Sequence, residues 1–180
     1  RLLLDSIDDP RLVRHRHLTN LGKGAAVRTG IATATGSHLL VFDADLEYDP
    51  RDIAAVVAPV KEGRANVVYG VRVNGVRTVF PSLSYGIGNV VTTLFANVVY
   101  DAFLSDMHTC LKLVPVALLR EMTLREHGFG LDTEITAEVL RRGIRPFEVP
   151  VSYAGRSHGE GKKIRPMDGV RCLYLLGRVR

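Results

Sequence analysis

Short apolar runs alternate with helical patterns along the chain, and this alternation predicts an α/β fold. Residues 39–42 and 66–70 are mostly apolar runs of strand length. Such runs are typical of strands that are covered on both faces in the centre of a parallel sheet. Helical patterns occupy residues 25–32, 53–57 and 135–142. We therefore expect a mostly parallel sheet flanked by helices, with ligands bound beyond the carboxyl ends of its strands.

The first apolar run ends in four acidic residues within seven positions. Asp43 and Asp45 are two residues apart, so both carboxylates point to the same side while the chain stays extended, and Glu47 would continue the row. Like charges this close repel unless a cation lies between them, and oxygen ligands without His or Cys favour Mg²⁺ or Mn²⁺. The pattern predicts a metal-assisted clamp for a nucleotide diphosphate. The alternative is an acidic loop that is simply solvated.

Two neighbouring acids have a structural explanation. Asp49, Pro50 and Asp52 fit the N-cap, N1 and N3 positions of the helix that continues through residues 53–57. We therefore leave Asp49 and Asp52 out of the predicted chemistry.

A glycine-rich turn, Asn20-Leu21-Gly22-Lys23-Gly24, enters the helical pattern of residues 25–32. Backbone N–H groups at such a helix start can meet an anion, which makes Gly22 and Lys23 candidates for binding a phosphate ligand. The spacing is not that of a Walker A loop. A plain turn without a ligand stays the alternative.

Residues 78–100 form a long segment without a charged residue. Its Gly, Asn, Thr and Pro residues make it too polar for a membrane span. Two interpretations stay open: a helix packed in the core, which we favour, or a helix lying on a membrane surface with Tyr85, Phe95 and Tyr100 near the interface.

The C-terminal third combines an acidic helix start, a strand and a basic loop. Asp132 and Glu134 precede the helical pattern of residues 135–142 and are interpreted as complements of the helix dipole. Residues 144–153 are predicted to be an edge strand because they contain two prolines. Residues 155–165 follow with three glycines, and their predicted role is a mobile lid over phosphates, although a solvated basic loop is the alternative. The cations at this loop are Arg156, Lys162, Lys163 and Arg165.

Composition sets only broad limits on function. The 180 residues are 46% hydrophobic, which favours one domain over residues 1–180. The net charge of +5 rests on 19 Arg and 5 Lys and suits phosphate or anionic membrane partners. Two distant cysteines favour a reducing cytoplasmic setting. Basic clusters interleaved with aromatic residues are absent from the sequence, which argues against a nucleic-acid partner.

The order and spacing of the motifs resemble family 2 glycosyltransferases of the dolichol-phosphate or polyprenol-phosphate mannose synthase type. The motifs that carry the resemblance span nearly the whole chain. They are Asn20-x-Gly22-Lys23-Gly24-Ala25-Ala26, Asp43-Ala44-Asp45-Leu46-Glu47-Tyr48-Asp49-Pro50, Val68-Tyr69-Gly70-x-Arg72, Asp106-x-x-Thr109-Cys110-x-Lys112, Phe129-Gly130-x-x-x-Glu134-Ile135, Val149-Pro150-Val151-x-Tyr153-x-x-Arg156 and Gly161-Lys162-Lys163-Ile164.

The resemblance implies a GT-A (Rossmann-like) fold and an inverting, metal-dependent hexosyltransferase. The implied donor is a nucleotide sugar, GDP-mannose before UDP-glucose, and the implied cofactor is Mg²⁺ or Mn²⁺. The implied acceptor is a polyprenyl or dolichyl phosphate at the inner face of the cytoplasmic membrane, where the enzyme would be peripheral. Transfer to a sugar hydroxyl or to a small phosphorylated acceptor is an alternative, and so is an inactive module that binds nucleotide sugar or lipid.

The resemblance also implies roles for individual residues. Asp43, Asp45 and Glu47 are similar to the acids that hold the metal and the donor diphosphate, although many relatives have Gln at the last position. Arg72 and Arg156 are similar to arginines that meet phosphate, and with Asp45 they are the predicted catalytic residues. Lys162 and Lys163 belong to the implied phosphate-binding loop.

The sequence departs from the family at its beginning. A first strand ending in a Pro-x-x-Asn-Glu motif and a later Asp-Asp-Gly-Ser turn, which bind the base and ribose, do not occur in these residues. We therefore expect an N-terminally incomplete domain.

Overall fold

The computed structural model describes residues 2–73, 78–79, 82–128, 130–156 and 166–180. Its helices are α1 (Leu2–Asp5), α2 (Lys23–Thr33), α3 (Asp52–Lys61), α4 (Leu83–Tyr100), α5 (Val116–Glu121), α6 (Gly130–Arg141) and α7 (Pro166–Val179). Its strands are β1 (His38–Leu40), β2 (Val68–Val71), β3 (Thr78–Val79), β4 (Lys112–Pro115), β5 (Phe147–Pro150) and β6 (Tyr153–Ala154). The helical and extended segments alternate as the sequence pattern predicts.

Four strands form the main sheet in the order β1-β4-β2-β5, and β3 pairs with β6 in a small parallel ladder. β2 and β5 are parallel, whereas β4 is antiparallel to both β1 and β2. β1, β2 and β5 therefore share one direction and β4 alone runs against them. The predicted α/β sheet flanked by helices is confirmed, but the sequence did not reveal the reversal of β4, because an apolar run carries no information about strand direction.

The sheet separates two apolar clusters, as expected for strands covered on both faces. Leu39 and Tyr69 belong to one cluster, where they pack near Leu131 and Ile135 of α6. Leu40 and Val68 belong to the other, which includes Val56 of α3. Neighbouring residues of one strand thus serve opposite faces, as the period of two requires.

The ends of several elements follow local signals. α3 stops before Gly63 and α6 stops before Gly143, and both glycines have positive φ angles, 69° and 75°. The predicted N-cap of α3 was two residues early: the helix begins at Asp52 and its N-cap is Arg51. Asp49 still has a structural role, because its Oδ1 accepts the backbone N–H of Arg51 at 2.9 Å.

Helix α4 has an unusual division between its faces. Its buried face carries small and polar residues, together with Tyr100, whose hydroxyl donates to the Leu176 carbonyl at 2.7 Å. Its solvent face is apolar and comprises Leu83, Ile87, Val90, Val91, Leu94 and Val98, each more than half exposed. The core interpretation therefore holds for one face only. The interpretation that placed Tyr100 at an interface was wrong, Phe95 is 39% exposed, and the side chain of Tyr85 lies outside the described residues.

None of the helices in the described part of the chain has the length and apolarity needed to cross a bilayer.

Candidate active site

The candidate site lies where β1 and β2 end and β4 begins. Because β1 and β2 share a direction, their carboxyl ends meet at the same edge of the sheet, and the antiparallel β4 starts there. The segments that leave or enter this edge carry Asp43, Arg72 and Cys110. This is the edge at which open α/β sheets bind ligands.

A line of alternating charges occupies this edge. The Lys23 Nζ lies 2.8 Å from Asp43 Oδ2 and 3.0 Å from Asp132 Oδ2, and it also donates to the Cys110 Sγ at 3.6 Å. The other oxygen of Asp132 lies 3.8 Å from the Nζ of Lys112. Lys112 is fully buried at 1% side-chain exposure, and Asp132 is nearly so at 10%. The order Asp43–Lys23–Asp132–Lys112 places an opposite charge beside each charge.

Burial and neighbouring charges compete in this line. Burial opposes the charge of Lys23, but the carboxylates of Asp132 and Asp43 outweigh it and raise the pKa of Lys23. Burial also opposes the charge of Asp132, but Lys112 and Lys23 lower its pKa. For Lys112 burial prevails over Asp132, so the pKa of Lys112 is lowered.

The glycines of the Gly22-Lys23-Gly24 turn permit a close approach of two backbones. A Cβ on Gly24 would lie 2.1 Å from the Glu126 carbonyl oxygen, and one on Gly22, where φ is 86°, would lie 2.4 Å from the His127 oxygen. The Gly24 N–H donates to that His127 oxygen at 2.7 Å, and the Gly22 N–H donates to Asn20 Oδ1 at 3.0 Å. These amides have acceptors within the protein, so the turn presents Lys23 while the predicted anion contact of Gly22 stays a prediction.

The second acid of the Asp43-x-Asp45 motif meets a different cation. Arg156 donates through Nη2 to Asp45 Oδ2 at 2.7 Å and through Nε to Glu47 Oε1 at 3.2 Å. The row predicted for the three acids does not form, because the chain bends over residues 44–47 and Leu46 has a φ of 66°. The three carboxylates are therefore divided between Lys23 on one side and Arg156 on the other.

The described residues contain no group of three or more His, Cys, Asp or Glu side chains arranged to hold a metal ion. Asp43 and Asp45 are nevertheless the hard oxygen donors that Mg²⁺ uses in ones or twos together with substrate phosphates. The chemistry of these two ligands thus fits a divalent cation. The metal role predicted for Asp43, Asp45 and Glu47 stays a prediction.

Arg72 forms a buried ion pair with Asp106. Its Nε and Nη2 lie 2.7 Å from the two carboxylate oxygens, and its backbone N–H donates to Oδ2 at 3.0 Å. The guanidinium also lies 4.9 Å from the Tyr153 ring centroid. Burial alone would raise the pKa of Asp106, but Arg72 lowers it to about 2. Arg72 thus has an internal partner at the mouth of the site, and its predicted contact with phosphate stays a prediction.

His108 lies beside this pair and is neutral near pH 7. Its Nε2 lies 2.7 Å from Thr92 Oγ1 on α4. Burial, followed by the charge of Lys112, lowers the pKa of His108 to about 4.

Sequence reasoning missed the participation of Asp132, Lys112 and His108. Asp132 was assigned to the helix dipole, yet eleven of the twelve residues of α6 are buried. A charged residue in a helix that is buried all round needs a partner, but the sequence of α6 does not reveal this burial, because polar residues occur on all of its faces. Of the predicted basic loop, Arg156 is described, whereas Lys162, Lys163 and Arg165 lie outside the described residues.

The family model of glycosyl transferase family 2 matches residues 3–113, more than half of the chain. Among curated proteins, glycosyltransferase AglJ of Haloferax volcanii is 26% identical over 155 residues, covering 86% of this chain and 51% of AglJ. The low-salt glycan biosynthesis hexosyltransferase Agl6 of the same organism is 27% identical over 157 residues, covering 86% of this chain and 38% of Agl6. The chain thus spans about half or less of these relatives.

Two solved structures of glucosyl-3-phosphoglycerate synthase from Mycobacterium tuberculosis share the fold at 17% sequence identity. For the complex with uridine diphosphate the TM-score is 0.61, and the alignment covers 88% of this chain and 55% of the synthase chain. For the complex with phosphoglyceric acid the TM-score is 0.63, and the alignment covers 93% of this chain and 56% of the synthase chain. The GT-A-like fold predicted from the sequence is confirmed.

The close approach at Gly24 predicts a large effect of a single methyl group. Gly24→Ala should lower the free energy of unfolding by about 1–3 kcal/mol, because the new Cβ meets backbone atoms that cannot rotate away. Gly30→Ala is the matched control in the same helix: its Cβ meets nothing within 4 Å, and helix propensity should make it stabilising by up to about 1 kcal/mol. Urea unfolding of both variants tests this, and equal stabilities would contradict it.

Proposed function

Because the chain belongs to glycosyl transferase family 2, we propose that it carries part of the active site of an inverting transferase. The reaction is transfer of a hexose from a nucleotide-diphosphate sugar to a polyprenyl or dolichyl phosphate. The observation that carries the proposal is the division of the Asp43-x-Asp45 motif between two cations, Lys23 and Arg156, at the ligand-binding edge of the sheet. A diphosphate leaving group is stabilised by a cation and by basic side chains. The two acids suit the cation, and Lys23 and Arg156 suit the phosphates.

The donor is held by groups on both sides of the motif. Asp43 and Asp45 would ligate Mg²⁺ or Mn²⁺ together with the donor phosphates. When bound, the cation supplies neutralisation of the charge that develops on the diphosphate. Lys23 and Arg156 are placed to donate to phosphate oxygens beside it, and a planar guanidinium suits two such oxygens at once. Lys162 and Lys163 complete the phosphate-binding set in this proposal, and GDP-mannose is preferred to UDP-glucose as the donor.

The acceptor is a phosphate in this proposal because an ionised phosphate needs no general base. Among the described residues, five further groups could act as a base besides Asp45: the other carboxylates at this edge and the His108 ring. Each has a partner within the protein: Asp43 pairs with Lys23, Asp106 with Arg72, and Glu47 with Arg156. Asp132 lies between two lysines, and the buried His108 is bonded to Thr92. The phosphate oxygen attacks the anomeric carbon as the bond from that carbon to the nucleoside diphosphate breaks, and the diphosphate leaves with the electron pair. This single displacement inverts the anomeric centre, and Arg72 helps to offset the charge of the two neighbouring anions.

A lipid-linked acceptor also gives the apolar face of α4 a function. Six exposed aliphatic residues on one helix face suit insertion into a membrane surface, and no charged residue interrupts the segment. In this proposal the enzyme is peripheral at the inner face of the cytoplasmic membrane, with α4 holding the site near lipid headgroups.

A small phosphorylated acceptor is the second candidate. It is favoured by the shared fold with glucosyl-3-phosphoglycerate synthase, one structure of which holds phosphoglyceric acid. The same phosphate chemistry would serve both acceptors, so the products must be separated by experiment.

Incubation of the full-length protein with radiolabelled GDP-mannose, or UDP-glucose, and a polyprenyl phosphate should place the label in a chloroform-soluble product. A sugar bound through phosphate should then be released by mild acid. Label that appears only in a water-soluble product when phosphoglyceric acid is supplied would favour the second candidate. Label in neither product, with correctly folded protein and both donors, would contradict the proposed function.

Replacement of Asp45 by Asn should lower turnover by about 10²-fold or more, because one ligand of the cation and one acceptor of Arg156 are weakened. Excess EDTA should abolish turnover, and Mn²⁺ or Mg²⁺ should restore it. Asp49→Asn is the matched control, since it removes a neighbouring carboxylate bonded to Arg51 and should retain activity. Full activity in EDTA would exclude the metal.

Leu94→Lys should weaken co-sedimentation with anionic vesicles about fivefold or more, because an inserted leucine side chain contributes about 1.5–3 kcal/mol. The added positive charge favours anionic lipid, so any loss reports lost apolar insertion. Leu94 is 60% exposed, and the melting temperature should therefore stay within a few degrees of the wild-type value, roughly as for other surface changes. Leu18→Lys, at a fully exposed leucine outside α4, is the control. Equal binding of all three proteins would contradict the membrane contact.

A further inference from the structure

We propose that Glu47 is a positioning residue that holds the Arg156 guanidinium beside Asp45, and that it is not a third metal ligand. The inference rests on the proposed function, because it concerns how one cation of that site is held. It differs from the role that the sequence resemblance implies for this acid.

Both oxygens of the Glu47 carboxylate have donors within the protein. Oε2 accepts the Tyr153 hydroxyl at 2.8 Å. Oε1 accepts the backbone N–H of Arg156 at 3.0 Å and the Nε of the same residue at 3.2 Å. The side chain is 10% exposed. A carboxylate engaged in this way has a fixed orientation, and that orientation is set by the chain around Arg156.

The backbone beside Glu47 reinforces the same contact. The Glu47 carbonyl accepts the Ala154 N–H at 2.9 Å. The next residue, Tyr48, forms an isolated antiparallel bridge with Tyr153, and the two rings lie 5.3 Å apart. The backbone pairing thus brings the chain of residues 47–48 beside residues 153–154, and the Glu47 carboxylate adds a hydrogen bond to the next backbone N–H that it can reach, that of Arg156.

The contact between Arg156 and Asp45 is more open than the one with Glu47. The Arg156 side chain is 40% exposed and that of Asp45 is 27% exposed. An ion pair so open to solvent does little to fix a long side chain. Glu47 is less exposed, at 10%, and it also accepts the backbone N–H of Arg156 at 3.0 Å, which Asp45 does not. Glu47 thus holds the guanidinium of Arg156 in place, whereas the contact of Arg156 with Asp45 can be replaced by a contact with another acceptor.

This arrangement gives the two arms of the guanidinium different tasks. Nε stays on Glu47, while Nη2 faces Asp45. If Asp45 turns to a cation, Nη2 needs another acceptor, and a diphosphate oxygen is of the right charge and geometry. Because Glu47 retains the other arm, Arg156 stays at the position where that oxygen arrives.

The test is a double-mutant cycle with Glu47→Gln and Arg156→Lys, read by kcat, by KM for the donor and by Mn²⁺ affinity. Glu47→Gln should lower kcat by about 10-fold or more, because misplacement of a binding group by one ångström can cost about 10²-fold. In the Arg156→Lys background the same change should cost less than about twofold, since residues that act through one another are not additive.

The Mn²⁺ affinity separates the two roles of Glu47 without any turnover. Electron paramagnetic resonance of free Mn²⁺, with GDP or UDP present, should give a Kd for Glu47→Gln within about threefold of wild type. If Glu47 were a ligand, removal of its charge from the cation should raise the Kd about 10-fold or more, because affinity depends on the charge of the ligands. Asp49→Asn is the control for removing one negative charge near the site. A Kd raised tenfold in Glu47→Gln but not in Asp49→Asn, or equal losses of kcat in both backgrounds, would overturn the inference.

Amide hydrogen exchange distinguishes failure of this inference from failure of the proposed function. If Glu47 holds Arg156, exchange at the Arg156 amide should be faster in Glu47→Gln than in wild type and Asp49→Asn. This readout and the Mn²⁺ titration need no substrate. A wild-type protein without transferase activity but with accelerated exchange in Glu47→Gln would refute the reaction and retain the positioning role. An active enzyme with unchanged exchange at the Arg156 amide in Glu47→Gln would support the reaction and refute the positioning role of Glu47.

Discussion

The burial of ionised groups at one edge of the sheet is the constraint on which the site depends. A charge removed from water is costly unless an opposite charge and hydrogen bonds compensate for it. The line Asp43–Lys23–Asp132–Lys112 and the pair Arg72–Asp106 meet this requirement with partners drawn from distant parts of the chain. Each partner restricts the others, so the edge is a single electrostatic unit and not a set of independent side chains.

This unit explains how the Gly22-Lys23-Gly24 turn and the acids of residues 43–47, which are separate in the sequence, contribute to one site. Lys23 can reach between two carboxylates only because its turn lies directly against residues 126–128, which excludes a side chain at the flanking glycines. The acids of residues 43–47 in turn diverge toward Lys23 and Arg156, since the chain bends after the strand. Packing and electrostatics thus place basic groups on both sides of the acidic motif, which is the arrangement that the proposed donor requires.

Local signals account for what the sequence could predict. The apolar runs at residues 39–42 and 66–70 and the glycines at 63 and 143 act through near neighbours. Helices α3 and α6 end before these glycines as expected, and the strands lie at residues 38–40 and 68–71, with ends shifted from the runs by one or two positions. The direction of β4, by contrast, is set by its position between β1 and β2, and that position is not encoded in the local sequence of the strand. The contact of Lys23 with Asp132 joins residues 109 positions apart and follows from the packing of α2 on α6. Periodicity also could not tell which face of α4 is buried, since that helix turns polar residues inward and aliphatic residues outward.

The insertion of β4 between β1 and β2 has a consequence for the order in which the molecule assembles. The first two strands of the sheet are near in sequence but do not pair, so the N-terminal half leaves a gap that only residues 112–115 fill. Closing that gap brings together contacts of long sequence separation, which are slow to form. Lys112 begins this strand, and Cys110 lies two residues before it. Formation of the candidate site and completion of the sheet therefore depend on the same strand, and local opening of β4 would disrupt both together.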